Sequence, residues 1–80
     1  MNDKYELKKH NSTQLGRRIM EVCHDYSIDY INEAELASVL HHYAITYPEI
    51  LFENGKVRQS IVNIIGKKRS IYILSLEAKR

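Results

Sequence analysis

Apolar residues recur at helical spacing in three stretches of the chain and lose their period between them. In the first, Leu15, Ile19, Val22, Cys23 and Tyr26 fall at i, i+4, i+7, i+8 and i+11, one stripe that predicts a helix from Ser12 to Tyr26. Asn11 or Ser12 is placed to cap it, and Gln14 follows Asn11 by three residues, as in a capping box. Gly16 in its first turn costs about 1 kcal/mol relative to alanine. The second stretch is the best marked. Asn32 caps it, Glu35 completes a capping box, and Ile31 and Leu36 take the flanking positions of a hydrophobic staple. Glu33 and Glu35 set negative charge at the positive end of the helix dipole. Its stripe runs Leu36, Val39, Leu40, Tyr43, Ala44, Tyr47, and Pro48 ends it, because the residue before a proline avoids the helical region. The third helix is predicted from Val57 to Ile65, with Val57, Ile61, Ile64 and Ile65 inward and Gly66 as its stop.

Three segments lie outside this pattern. Residues 1–10 show no period and read as a flexible basic arm. Asn54-Gly55 is a strong hairpin signal, with Ile50, Leu51 and Phe52 as a candidate strand before it. The residues after it have helical spacing, so the pair is read instead as a left-handed break before the third helix. Residues 70–78 fit a helix capped by Ser70, with Ile71, Leu74 and Ala78 on one side. The run IYILSL fits a strand as well, and helix is the reading preferred here. The expected fold is mainly α, a small bundle of three to four short helices in one domain over residues 1–80, with 70–78 open to a strand.

Composition narrows the class. Eighty residues with 44% hydrophobic content support one small core, in which a large catalytic cleft would displace packing. One cysteine, Cys23, allows no disulfide within the chain. The charged start MNDKYELKKH has no apolar run, so no signal peptide is expected, and no stretch approaches the roughly 20 apolar residues of a membrane span. A cytoplasmic protein without membrane contact is expected.

The net charge of +2 conceals three blocks of alternating sign. Residues 1–18 carry Lys4, Lys8, Lys9, Arg17 and Arg18 against Asp3 and Glu6. Residues 19–53 carry no lysine or arginine and hold Glu21, Asp25, Asp29, Glu33, Glu35, Glu49 and Glu53. Residues 54–80 carry Lys56, Arg58, Lys67, Lys68, Arg69, Lys79 and Arg80 against Glu77. Such asymmetry directs association rather than folding.

Thr13-Gln14 at the start of the first helix, Glu33 to Leu36 in the second, the Phe52 to Gly55 turn and the Gly-Lys-Lys-Arg of Gly66 to Arg69 together resemble an uncharacterised family. Its members are short, mostly helical proteins from Firmicute bacteria and their mobile elements. The resemblance covers residues 13–76. It departs at Ser70, where an aliphatic residue is expected. It implies a mostly helical fold and no activity or site.

Candidate chemistry is sparse. Cys23-His24 and His41-His42 are metal-binding residue types, but helical neighbours point about 100° apart, whereas structural zinc sites use ligands at short spaced intervals. No metal or cofactor is expected. Cys23 with His24, and Ser60 or Ser70 with no histidine near in sequence, offer no oriented base, so no catalytic residue is assigned. His24, His41 and His42 sit in the acidic block, where carboxylates favour protonated imidazole.

The basic residues carry the functional expectation. Lys67, Lys68 and Arg69 complement the dipole of the helix before them, yet exceed what capping needs. With Lys56 and Arg58 they form a patch suited to phosphate or carboxylate, and Gln59 and Asn63 are types that read adenine edges. The link before the third helix is too long for a tight helix-turn-helix, and the acidic block opposes DNA. The expected function is a non-enzymatic regulatory or accessory protein, phage or mobile-element related, whose basic surface contacts nucleic acid or an acidic protein. The alternative is an inhibitor-type module using an acidic surface of Glu21, Asp25, Asp29 and Glu33, lined by tyrosines and histidines of the middle segment. Opposite charge blocks also suit a homodimer.

Overall fold

In the computed structural model, which describes residues 3–78, a 3-10 turn (Asp3–Tyr5) leads into α1 (Ser12–Ser27) and α2 (Glu33–Thr46). A short α3 (Pro48–Leu51) and a hairpin of β1 (Phe52–Glu53) and β2 (Lys56–Val57) follow, then α4 (Gln59–Ile65) and α5 (Lys67–Ala78). The mainly helical fold agrees with the sequence reading. The described residues form five helices instead of three to four, because Pro48 starts a helix as well as ending one and Gly66 divides the last stretch in two.

Local chemistry accounts for the first two helices. The Asn11 side chain accepts from Gln14 N at 2.8 Å and starts α1. Both halves of the Asn32–Glu35 capping box form, at 2.8 and 3.1 Å. Leu15, Ile19 and Val22 of α1 and Leu36, Val39, Leu40, Tyr43 and Ala44 of α2 are buried, so the stripes do face the core. The α1 stripe runs out of the core at its end, where Cys23 is half-buried and Tyr26 is 40% exposed.

α1 packs mainly on α4, while α2 packs on α1 and α5. Gly16, which weakens an isolated helix, sits at the α1–α4 crossing. A Cβ there would lie 2.7 Å from Ile64 Cδ1 and 3.1 Å from Ile64 Cβ and Cγ2. The missing side chain lets the two backbones approach.

The turn at Asn54-Gly55 differs from the break expected of it. Phe52 pairs with Val57 and Glu53 with Lys56, antiparallel, around residues with φ of 53° and 76°. Two consecutive left-handed residues are what a type I′ hairpin requires. The strands are only two residues long, so the hairpin closes and α4 still starts at Gln59. Val57, expected in the helix, is buried in β2.

The last segment is a helix and not a strand, and it starts three residues before Ser70. Gly66, at φ 88° and ψ 164°, is the single residue between α4 and α5, a conformation that L side chains rarely adopt. Ser70 is therefore not the cap. It is buried inside the first turn and its Oγ donates to Gly66 O at 2.8 Å. The helix is also rotated from expectation: Ile73 is buried, while Ile71 is 56% exposed and Ala78 is exposed.

Within the segment expected as a flexible arm, residues 1–10, two side chains enter the core; residues 1 and 2 lie outside the described residues. Tyr5 and Leu7 are buried. The Tyr5 hydroxyl donates to Asp25 Oδ2 at 2.7 Å, and the Tyr43 hydroxyl donates to Tyr5 O. The two apolar side chains alternate with Lys4, Glu6 and Lys8, a pattern too short to stand out among charges. Among the described residues, no helix is long and apolar enough to cross a membrane.

Candidate partner-binding surface

Lys67, Lys68 and Arg69 form the first turn of α5, all three exposed and with no acid among them. The sequence places them behind the preceding helix, where cations are favoured. They do follow α4, and Arg69 Nη1 donates to Ile65 O at 3.1 Å, satisfying a carbonyl at the α4 end. They also stand at the N-terminal end of α5, where the dipole is positive and cations are disfavoured. Gly66 brings these two opposed fields within one residue.

The other basic and amide candidates are placed differently. Arg58 is half-buried and its guanidinium clasps its own fold. Nε donates to Ile50 O at 3.1 Å, Nη2 to Glu49 O at 2.8 Å, and Nη1 lies 3.5 Å from Glu53 Oε1. Its donors hold α3 and the hairpin rather than standing open to a partner. Lys56 is exposed on β2, a strand that packs beside α5. Gln59 and Asn63 are exposed one turn apart on α4, and Gln59 Nε2 donates to Asn63 Oδ1 at 2.9 Å. Lys79 and Arg80, counted in the basic block, lie outside the described residues.

The acidic surface expected from Glu21, Asp25, Asp29 and Glu33 is not assembled. Asp25 is buried, and its Oδ2 accepts from Lys4 Nζ and from Tyr5 Oη, both at 2.7 Å. The Lys4 bond first, then the Tyr5 bond, hold its carboxyl below the usual range against the opposing effect of burial. Burial, then the Asp25 bond, push the Tyr5 hydroxyl up. Asp25 thus pins the N-terminal segment to α1. Glu21 is paired with Arg18 at 3.2 Å. Asp29 and Glu33 remain exposed, Asp29 in the left-handed region of the α1–α2 turn at φ 62°.

Glu33 belongs to a groove that no single stretch of sequence announces. About 410 Å³ of open space lies between α1, which supplies Cys23, Tyr26 and Ser27, α2, which supplies Glu33 and Leu36, and α5, which supplies Lys68, Arg69 and Tyr72. Carbon and sulfur dominate it, with carboxylate from one helix and cations from another. Burial pushes the Cys23 thiol up, with Arg69 opposing, so near neutrality the thiol is protonated and a poor nucleophile. Burial pushes the Tyr72 hydroxyl up, and Glu33 adds to the effect. The lining residues come from three helices spread along the chain, and Tyr72 had no place in the sequence reading. An unplaced aromatic near a basic run was the one available signal.

The histidines are dispersed. His24 is exposed, His41 Nδ1 lies 3.3 Å from Glu77 Oε2, and His42 lies 3.5 Å from Thr46. The carboxylate beside His41 therefore comes from α5 and not from the acidic block. Among the described residues, no three His, Cys, Asp or Glu side chains are grouped to hold a metal ion.

No curated protein and no solved structure matches the chain. A family profile does match residues 6–74, in agreement with the uncharacterised family suggested by the short motifs. The chain belongs to that family, CLB_0814_fam, described as a conserved hypothetical protein.

Proposed function

We propose that the protein is a non-enzymatic regulatory or accessory factor that contacts an anionic partner, nucleic acid or an acidic protein surface, through the first turn of α5. The observation that carries this reading is the position of Lys67 and Lys68. They are exposed, adjacent, and set where the helix dipole opposes them. The end of α4 favours these lysines and the start of α5 opposes them, so helix stability gives no net reason for them, whereas a phosphate or carboxylate surface uses both the side chains and the α5 dipole. Duplex DNA and polyglutamate serve as separate probes in a salt titration. Binding of one of them at low salt is expected, weakening as salt rises and lost in Lys67→Glu/Lys68→Glu. No binding of either at low salt sinks the proposal.

A second reading draws on the α1–α2 turn. Ile28 and Tyr30 are 59% and 63% exposed on either side of Asp29. An exposed apolar pair around an acid suits an inhibitor-type contact with a protein, without Asp25 or Glu21. A protein partner lost on Ile28→Lys/Tyr30→Lys and kept on Lys67→Glu/Lys68→Glu would favour it.

A further inference from the structure

We infer that the groove between α1, α2 and α5 receives a protein segment presenting an acidic residue to Lys68 and Arg69, a large apolar side chain to the groove, and a basic residue to Glu33. The inference rests on the proposed contact at the α5 turn for the role of the two cations, and it names the class of partner.

Three observations converge. The space of about 410 Å³ is within the range of ligand pockets and admits a large side chain. Its apolar part is ready for contact: Tyr26 is 40% exposed, Tyr72 is half-buried, and Leu36 and Cys23 complete the surface. Its charges come from different helices and are of opposite sign. Glu33 stands on the first turn of α2, whose backbone the Asn32–Glu35 cap holds, and Arg69 is held by its bond to Ile65 O. Opposite charges lining one apolar space select a ligand of mixed charge around an apolar anchor.

That charge arrangement decides between partner classes. A nucleic acid satisfies Lys68 and Arg69 but brings no cation to Glu33, and Glu35 in the same turn adds to the repulsion. A polypeptide supplies both signs. A second copy docking groove to groove places two concavities face to face and leaves them unfilled.

Random linear peptides displayed on phage and selected on the full chain test this. The expected outcome is a consensus of acid, aromatic or long aliphatic residue, and base. Titration calorimetry with a synthesised consensus peptide should show about tenfold weaker binding to Lys68→Glu, recovered when the peptide acid becomes lysine. Glu33→Lys should behave likewise, recovered when the peptide base becomes glutamate. Circular dichroism establishes that each variant is folded, and the recovered binding guards against a trivial loss.

Several results would overturn the inference: no enriched peptide, a consensus without this charge order, or undiminished binding by Lys68→Glu. So would displacement of the bound peptide by single-stranded or duplex DNA, which would assign the groove to nucleic acid. A dimer in sedimentation that the peptide dissociates would assign it to a second copy. Polyanion binding without any selected peptide defeats this inference alone. A charge-ordered peptide without polyanion binding defeats only the broader proposal of an anionic surface.

Discussion

Gly16 shows how one atom sets a helix crossing. On an exposed helix, alanine in its place would stabilise by about 1 kcal/mol. Here the added methyl meets Ile64 at 2.7–3.1 Å, and overpacking of this kind costs about 1–3 kcal/mol. Gly16→Ala should therefore lower the thermal midpoint, and Ile64→Ala in the same chain should return part of the loss, a coupling that a double-mutant cycle reads. Asp25 makes the comparable case for charge. Its folded carboxyl titrates below the usual range, so folding favours the ionised form. That stability is fully present above the unfolded-chain value, about pH 4, and drains as pH falls through the lower folded value. Thermal melts of Asp25→Asn should show a flatter dependence across this acid window than the parent chain. The cap at Asn32 and Glu35 was legible because its partners are three residues apart. The Gly16–Ile64 and Asp25–Tyr5 contacts join distant positions, and local spacing carries no trace of them.

Between α4 and α5 the helical backbone is broken at Gly66 alone. A side chain there must adopt a strained backbone, at about 1–3 kcal/mol. Gly66→Ala should be destabilised by that order in denaturant melts, although a Cβ would touch nothing. The lysines just beyond lead to a different prediction. Glutamates at 67 and 68 are favoured by the start of α5 and disfavoured by the end of α4, each exchange worth about 0.3–1 kcal/mol and of opposite sign. Lys67→Glu/Lys68→Glu should therefore leave the thermal midpoint nearly unchanged while abolishing polyanion binding. A variant that loses both stability and binding would make the lysines structural. Of the helices, α1, α2 and the body of α4 were readable from apolar spacing and caps, whereas α3 was not, because its four residues are too short for a period. The hairpin was signalled by Asn54-Gly55 but set aside, because Val57 lies four residues before Ile61 and so counterfeits helical period while sitting in a strand. The tail was ambiguous for a related reason: its mixed apolar residues suit either element, and packing against α2 and α4 selects the helix.

At the scale of the molecule, the alternating charge blocks do not translate into one basic and one acidic face among the described residues. Asp25 turns inward, Glu21 meets Arg18, Arg58 binds carbonyls, and Glu33 faces the same groove as Lys68 and Arg69. Net charge along a sequence reports composition; the fold decides which charges confront one another. The core has a clearer correspondence with the sequence. Ile61, expected at its centre, is fully buried, and Ile61→Ala should cost about 2–5 kcal/mol in equilibrium unfolding.

Tyr5 is synthesised before both of the groups that hydrogen-bond it across the fold. Its hydroxyl waits for Asp25, 20 residues on, and its carbonyl waits for Tyr43, 38 residues on. Neither bond can form on a growing chain until α1, and then most of α2, has emerged. Contacts of such separation are gained late, because closing the loop loses entropy before any contact repays it. The N-terminal segment thus acts as a clasp that closes only once α2 has emerged, and Tyr5 and Leu7 stand exposed to other chains until it does.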